Sequence, residues 1–464
     1  MVGPSYRRPF IETPSSWRFE EKKAREAANT KWWEQFGDPV LNELIGIALR
    51  ENKDVKIAAA RVEDFMGRYV TTRAPLFPQI GFGASASRSR VTREAAAPVS
   101  KGTHNPGNSF QIFLNANWEI DLWGKLRRAT EAARADLLST EEGRRAVILT
   151  LVTSVASAYV NLRDLDLQLE IAKQTAKSRE DTYNLFKIRF RGGMISELEF
   201  SQVKSEYEQT LSTIPFIEKT IAQQENALSV LLGRNPGPIP RGKTIDDLVL
   251  PAVPAGLPSD LLANRPDIRQ AEQDLIAANA RIGVAKSLYF PAISLTSSLG
   301  YASADIAKLF NGPARVWSLA APLTAPIFTA GAISGQVKSS KAVRQEALVR
   351  YEQSIQTAFR EVEDALIDQR KSREQLEIQT QEVATLHIYA RVARLRFDSG
   401  YTSYIEVLDA ERSLFIAELS HAETKGVLFQ ALVDLYKAMG GGWVVESDRM
   451  TTGKTSKSYS PPSK

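Results

Sequence analysis

An internal duplication constrains this chain more than any other feature of its sequence. Arg189-Phe190-x-x-Gly193-x-x-Ser196-x-x-Glu199 recurs as Arg396-Phe397-x-x-Gly400-x-x-Ser403-x-x-Glu406, 207 residues later. The same offset relates Gly124 to Gly331 and Leu232-Gly233 to Met439-Gly440. Upstream, Phe77-Pro78-x-Ile80 returns as Phe290-Pro291-x-Ile293 at an offset of 213. The difference of six falls between Val91 and Gly107, a longer loop in the first copy. Several matches in the same order exceed chance, so the chain is two copies of one unit.

Each copy reads helix, strand, strand, helix, helix. Ile80, Phe82, Ala84 and Ala86 alternate with Gly and Ser, and Phe110, Ile112, Leu114, Ala116, Trp118 and Ile120 alternate with mostly polar neighbours. The second copy repeats this with Ile293, Leu295, Leu299 and Tyr301, then with alternate residues from Trp317 to Ile327. A period of two predicts strands with one apolar and one polar face. Lys125 to Arg191 and Ala332 to Ser399 contain no proline and are rich in helix-forming residues. Each predicts a helix about 100 Å long. Gly192-Gly193 and Gly400 break these helices, and shorter ones of about 60 Å return to Gly233 and Gly440, glycines suited to a C-cap. Helices at about Asp38 to Arg73 and Ser259 to Ser287 precede the hairpins, and Pro215 is expected to kink the first return helix. The domain reading is residues 1–50 as an N-terminal extension and the start of the first helix, 51–238 as the first repeat, 239–258 as a linker, 259–442 as the second repeat, and 443–464 as a disordered tail.

Composition removes whole classes of function. There is no cysteine, which excludes disulfides, zinc-thiolate sites and thiol catalysis. His104, His387 and His421 have no second histidine at helical ligand spacing, and no nucleophile, base and orienting group form a constellation, so neither cofactor, metal nor enzymatic activity is expected. Lys and Arg total 59 against 54 acidic residues, a surplus of +5 that nowhere concentrates with aromatics, so no nucleic-acid partner is expected. Met1-Val2-Gly3-Pro4 lacks the basic start and apolar run of a secretory signal, as a mature or engineered start also does. Ala146 to Leu162 is uncharged but carries Thr150, Thr153, Ser154, Ser157 and Asn161, which suits a buried helix face better than a membrane span. Val316 to Val337 holds Pro322 and Pro326 and reads as a strand.

Helices this long cannot bury themselves in one globule and must pack side by side. Four strands cannot close a barrel, for which eight is the practical minimum, and open edges are an aggregation hazard. Several chains sharing one barrel resolve both problems, with the apolar face toward lipid and the polar face toward water. The number of chains stays open on these grounds.

At this point the residues resemble the TolC-type outer-membrane factors, in the lipoprotein branch that works with RND efflux pumps. The resemblance runs from about Val2 to Gly442. It rests on Val2-Gly3-Pro4-x-Tyr6-x-Arg8-Pro9, Trp32-Trp33-x-x-Phe36-x-Asp38-Pro39-x-Leu41, Leu257-Pro258-Ser259-Asp260-Leu261-Leu262 with Arg265-Pro266-Asp267-Ile268, Phe290-Pro291, and Val407-Leu408-Asp409-Ala410. Asp38-Pro39 and Pro266-Asp267 also read as ordinary helix starts. The resemblance implies an α+β membrane protein: a trimeric 12-stranded β-barrel, four strands per chain, continuing into a long periplasmic α-helical barrel. It implies an outer-membrane location with a large periplasmic portion, contact with outer-membrane lipid, and partnership with a periplasmic adaptor and an inner-membrane RND transporter. The family's mature proteins start with a lipidated Cys before Val-Gly-Pro. Met1 stands there in this chain, as in an altered or trimmed start, which leaves an N-terminal lipid anchor to the natural precursor.

The helix turns at Gly193 and Gly400 form the tip opposite the barrel in this reading. The resemblance places the acidic lining of a closed periplasmic aperture at Glu406 and Asp409, which lie three apart on one helix face. Glu199 matches Glu406 by duplication, and Thr402 stands where relatives carry a basic latch residue. The plainer alternative pairs Asp409 with Arg412 and leaves Glu406 to solvent. Trp118, Trp123, Tyr301, Phe310 and Trp317 suit either interfacial anchoring or ordinary packing. A coiled-coil scaffold or adaptor accounts for the helices but not the strands. A duct for a type I secretion system remains a further alternative, against which the lipoprotein-like N-terminus weighs.

Overall fold

The computed structural model describes residues 1–10, 13–14, 17–18, 31–92, 105–251 and 261–441. The chain divides into two compact units, one of Met1–Phe10, Arg61–Glu141 and Gln270–Tyr351, the other of Ile11–Ala60, Glu142–Arg269 and Glu352–Lys464. The tail expected to be disordered, most of the loop between Val91 and Gly107, and Leu257-Pro258-Ser259-Asp260 lie outside the described residues.

The helices are α1 (Pro39–Glu51), α2 (Lys53–Arg73), α3 (Lys125–Arg191), α4 (Glu197–Leu231), α5 (Leu261–Asn264), α6 (Pro266–Ser287), α7 (Ala332–Asp398) and α8 (Tyr404–Ala438). The two long helices end within a residue of their expected limits. Each starts after a glycine at positive φ, Gly124 and Gly331. Pro215 lies inside α4, which continues through it.

The first unit contains an antiparallel sheet of β1 (Gln79–Ser89), β2 (Gly107–Ile120), β3 (Ala292–Ser303), β4 (Arg315–Ala320) and β5 (Leu323–Thr324). The order is β1-β2-β3-β4, with β5 also on β3. The strand expected to run to Ile327 is therefore interrupted and stops early. Pro322 has no N–H for the ladder, and Pro326 stands two residues beyond Thr324, the last paired residue. Register survives the interruption, since Thr296 faces Ala320 and Ala292 faces Thr324, while the Pro322 carbonyl accepts the Ser294 amide at 3.2 Å.

The two hairpins share one register. Ala84 faces Ile112, and their counterparts in the second repeat, Ser297 and Leu319, also face each other. Across the four positions, Phe82, Leu114, Leu299 and Trp317 form one row on one face. Gly81, Asn115, Ser298 and Ser318 form a row on the other, with the two serine hydroxyls 2.8 Å apart. The apolar row is uncovered: Phe82 is 71% exposed and Trp317 74%. Such a face is stable in lipid and a liability in water.

The N-terminal motif packs within the same unit. The Val2 amide donates to the Trp123 carbonyl at 2.8 Å, Asn279 Nδ2 to the Pro4 carbonyl at 3.0 Å, and Tyr6 and Arg8 both to Glu272. Trp123 stacks on Phe290 with ring centroids 4.7 Å apart, and Tyr301 meets Phe310 edge-on at 5.7 Å.

In the second unit the single pre-hairpin helix of the sequence reading is broken, and at equivalent places in both repeats. Asn52 separates α1 from α2 and Arg265 separates α5 from α6. Asn52 Oδ1 caps α2 through the amides of Asp54 and Val55, and its Nδ2 donates to the Leu231 carbonyl at 2.9 Å. Arg265 Nη1 donates to the Ala438 carbonyl at 2.9 Å, and Leu231 and Ala438 are themselves counterparts. Each break residue thus satisfies a free carbonyl at the end of its return helix. Gly233 and Gly440 follow at φ +72° and +82°, where an added Cβ would lie 2.3 Å from the Glu51 carbonyl oxygen and 3.0 Å from Arg265. Both conformation and space demand glycine there.

The family-like motifs build this unit's core. Trp32 and Phe36 sit in a 3-10 turn (Trp32–Phe36), Trp32 stacked on Tyr436 at 4.8 Å and Phe36 edge-on to Phe429 at 5.7 Å. Asp38, fully buried, caps α1 through the Val40 amide at 2.8 Å and accepts the Tyr159 hydroxyl at 2.7 Å and the Lys243 amide at 3.0 Å. α3 contains a window long and apolar enough to cross a membrane, over half of it buried. Ile148, Val152, Val155, Ala156, Tyr159 and Val160 are fully enclosed, as a core helix face requires.

Candidate gate at the helix turns

The turns that end α3 and α7 are copies of each other. Gly193 (φ +67°) and Gly400 (φ +80°) are left-handed, and nothing lies within 4 Å of an added Cβ at either. Backbone conformation alone selects glycine here. Met194 N donates to the Arg189 carbonyl at 2.9 Å, and Tyr401 N to that of Arg396 at 2.9 Å, the wide bond of a Schellman cap in both repeats.

Beside the turns Phe186, Val203, Ala393, Tyr404, Val407 and Ala410 form a buried cluster drawn from α3, α4, α7 and α8. Phe186 lies 4.3 Å from Tyr404 between ring centroids, and Phe190 stacks on Phe200 at 4.9 Å. Aromatic packing of this kind holds the four helix ends in one bundle.

A groove of about 660 Å³ runs along this bundle, lined by residues of α4, α7 and α8 including Glu206, Tyr389, Glu406, Asp409 and Arg412. Glu406 and Asp409 therefore share one surface, as their spacing requires. Asp409 accepts from Arg412 at 3.0 Å and from the Tyr389 hydroxyl at 3.4 Å. Burial and then the Asp409 charge push the Tyr389 hydroxyl above its usual pKa. Glu406 accepts the Thr402 hydroxyl and, at 3.2 Å, Arg396. The pairing of Asp409 with Arg412 is thus present, whereas Glu406 is bonded within its own turn. Glu199 does not line the groove and serves a capping box with Ser196.

Sequence reasoning missed a charged seam beneath these acids. Buried Arg179 of α3 donates through Nη1 to Thr210 Oγ1 at 2.6 Å and lies 3.0 Å from Glu206 Oε2, both on α4. Its guanidinium also sits over the Phe415 ring of α8 at 5.4 Å. Glu206 is approached in turn by Arg412 at 3.9 Å. Arg394 of α7 lies 3.6 Å from Glu411, whose carboxyl is pushed above its usual range by burial. Arg179 and Glu206 belong to different helices, so no local spacing could have paired them. Among the described residues no group of three or more His, Cys, Asp or Glu could hold a metal.

The sequence profile of the outer membrane efflux proteins matches residues 44–234 and again 257–441. The chain belongs to the outer membrane efflux protein family. The profile fits once on each repeat, as the duplication requires. The cation efflux system protein CusC of Escherichia coli O6:H1 is 36% identical, over 95% of each chain. The solvent efflux pump outer membrane protein SrpC of Pseudomonas putida is 35% identical over 96% of each. Among solved structures, the Campylobacter jejuni CmeC outer membrane channel superposes with a TM-score of 0.93 at 25% identity, over 99% of this chain and all of that one. The open-state MtrE outer membrane channel of Neisseria gonorrhoeae gives 0.85 at 31% identity, over 96% and 98%. An efflux protein of this family resides in the outer membrane, and the sheet with an uncovered apolar face is the part of this chain suited to lipid.

Proposed function

We propose that the chain is one of three identical subunits of the outer-membrane duct of a tripartite efflux pump, receiving cargo from an inner-membrane RND transporter through a periplasmic adaptor. The observation that carries this is the four-position sheet, apolar and uncovered on one face, polar on the other, with β1 and β4 left as open edges. Three copies supply twelve strand positions, past the eight a barrel needs. A scaffold or adaptor has no use for such a sheet. No catalytic activity is assigned, since the relatives are transport channels. Relatives named for cations and for solvents are almost equally similar, so cargo selection is assigned to the pump and passage to the duct.

In this reading Glu406 and Asp409 line the periplasmic aperture, one carboxylate of each kind from every subunit, with the turns at Gly193 and Gly400 at its tip. Thr402 donates its hydroxyl to Glu406 and holds it in place, and Glu199 supports α4 structurally. Repeated carboxylates at close range favour cations. Single-channel conductance of the purified protein in a planar bilayer tests both levels. Small cation-selective openings that grow in Glu406→Ala/Asp409→Ala are expected. No conductance, with a monomeric mass in detergent, would put the scaffold reading ahead.

A further inference from the structure

Away from the helix turns, within the second unit, α3 and α8 meet along a polar groove of about 730 Å³. Asp164 of α3 lines it, 6% exposed. Both carboxylate oxygens accept from Gln168 Nε2, one turn along the same helix, at 3.0 Å. No cation lies within ion-pairing distance of Asp164 among the described residues. Two residues on, Asp166 is held by Arg163 at 2.5 Å and Arg241 at 3.1 Å, so cationic partners exist nearby and are spent elsewhere.

The facing side of α8 is shaped around the Asp164 carboxyl. A Cβ on Gly426 would lie 3.0 Å from both Cγ and Oδ2 of Asp164, so a glycine interrupts α8 where the acid packs. Glycine inside a helix is less favourable than alanine, and here it secures close approach. Gln430 of α8 and Gln224 of α4 clamp α3 about two turns before Asp164, donating to the Ser157 and Ala158 carbonyls at 2.7 and 2.9 Å. Of the groove-lining residues only Glu423, on α8, is also titratable, and α4 presents the neutral Gln224.

We propose that Asp164 is a proton-operated latch in the α3–α8 seam: protonated, it holds the packing described here, and ionised, it loosens the seam to admit water and a counter-ion. An ionised carboxylate buried against a neighbouring helix without a cation is destabilising, and loosening the seam relieves it. Burial, reinforced by the Glu423 charge and only partly opposed by Gln168, raises the pKa from 3.8 to about 6. The direction follows. Packed seam binds the proton more tightly than opened seam, so rising pH favours opening, up to about pH 6, beyond which the effect levels off. For an opened state with an ordinary aspartate, the opening equilibrium rises about tenfold between about pH 5 and about pH 7. The latch is a property of the helix seam and stands whether or not Glu406 and Asp409 line the aperture.

Hydrogen exchange of the full-length protein in detergent, corrected for the intrinsic pH dependence of exchange, reads the seam directly. In wild type, peptides spanning 154–168 and 423–430 should lose about tenfold protection between about pH 5 and about pH 7, and Asp164→Asn should keep its acid-state protection at both. Glu423→Gln removes the neighbouring charge but keeps the Asp164 carboxyl, and should move the transition to lower pH, which decides the matter even where Asp164→Asn fails to assemble. Wild-type seam protection independent of pH, or an undiminished pH response in Asp164→Asn, overturns the latch.

Discussion

Glu199 and Glu406 stand at the same position of the two repeats, the third residue of the return helix, and are bonded differently. Glu199 Oε2 accepts the Ser196 amide and hydroxyl, each at 2.9 Å, while the Glu199 amide donates to Ser196 Oγ at 3.2 Å. In the second repeat Ser403 forms no side-chain cap bond, and Glu406 turns to Thr402 and Arg396. The first copy keeps a reciprocal cap, and the second releases its carboxylate to the groove.

Ser196→Ala should therefore destabilise the first turn of α4 by about 1 kcal/mol, while Ser403→Ala should be nearly neutral at α8. Local hydrogen exchange at the two helix starts compares them within one molecule. The hydrogen bonds from the Ser196 backbone and side chain hold the Glu199 carboxyl below its usual pKa. A depressed carboxyl contributes stability above its unfolded value and loses it as pH falls through the folded one. The start of α4 should accordingly fray in acid, and Glu199→Gln should lack this pH dependence.

Arg412 compensates Asp409 at 3.0 Å and also approaches Glu206. Arg412→Ala leaves Asp409 uncompensated at the groove, while Glu206 keeps Arg179 at 3.0 Å. Cation-over-anion selectivity in a planar bilayer should rise several-fold, and the gain should fade at high salt, as exposed charges are screened. Unchanged selectivity would place Asp409 away from the permeation path.

Gly193→Ala and Gly400→Ala meet no neighbour, so each should cost about 1–2 kcal/mol through left-handed backbone strain alone. Chemical denaturation of the detergent-solubilised protein measures the cost. Equal costs at the two positions are expected, because the two turns share one hydrogen-bond pattern.

Gly300 of β3 lies against β2 so closely that a Cβ would fall 1.9 Å from the Ile112 carbonyl oxygen and 2.8 Å from the Phe113 ring. Gly300→Val should break the pairing that joins the two hairpins. The measurable outcome is loss of the oligomer in detergent, read by light scattering. A variant that still assembles would show that the β2–β3 ladder shifts to accommodate the side chain.

Much of this architecture was legible before any coordinates. Alternation named the strands, the long proline-free stretches named α3 and α7, and the duplication named two like hairpins, whose common register, Ala84 with Ile112 and Ser297 with Leu319, the structure then supplied. Pro322 and Pro326 even held the signal for the interrupted fourth strand, which the expectation of one continuous strand overlooked. These features are local, or repeat a local pattern, and local chemistry reads directly from residue order. What only the tertiary structure decided concerns groups distant in sequence: Arg179 reaching Glu206, Asn52 and Arg265 reaching the Leu231 and Ala438 carbonyls, and Asp164 sealed against Gly426. A polar group's partner and degree of burial are set by which helices come together, and residue order along one helix does not contain that information.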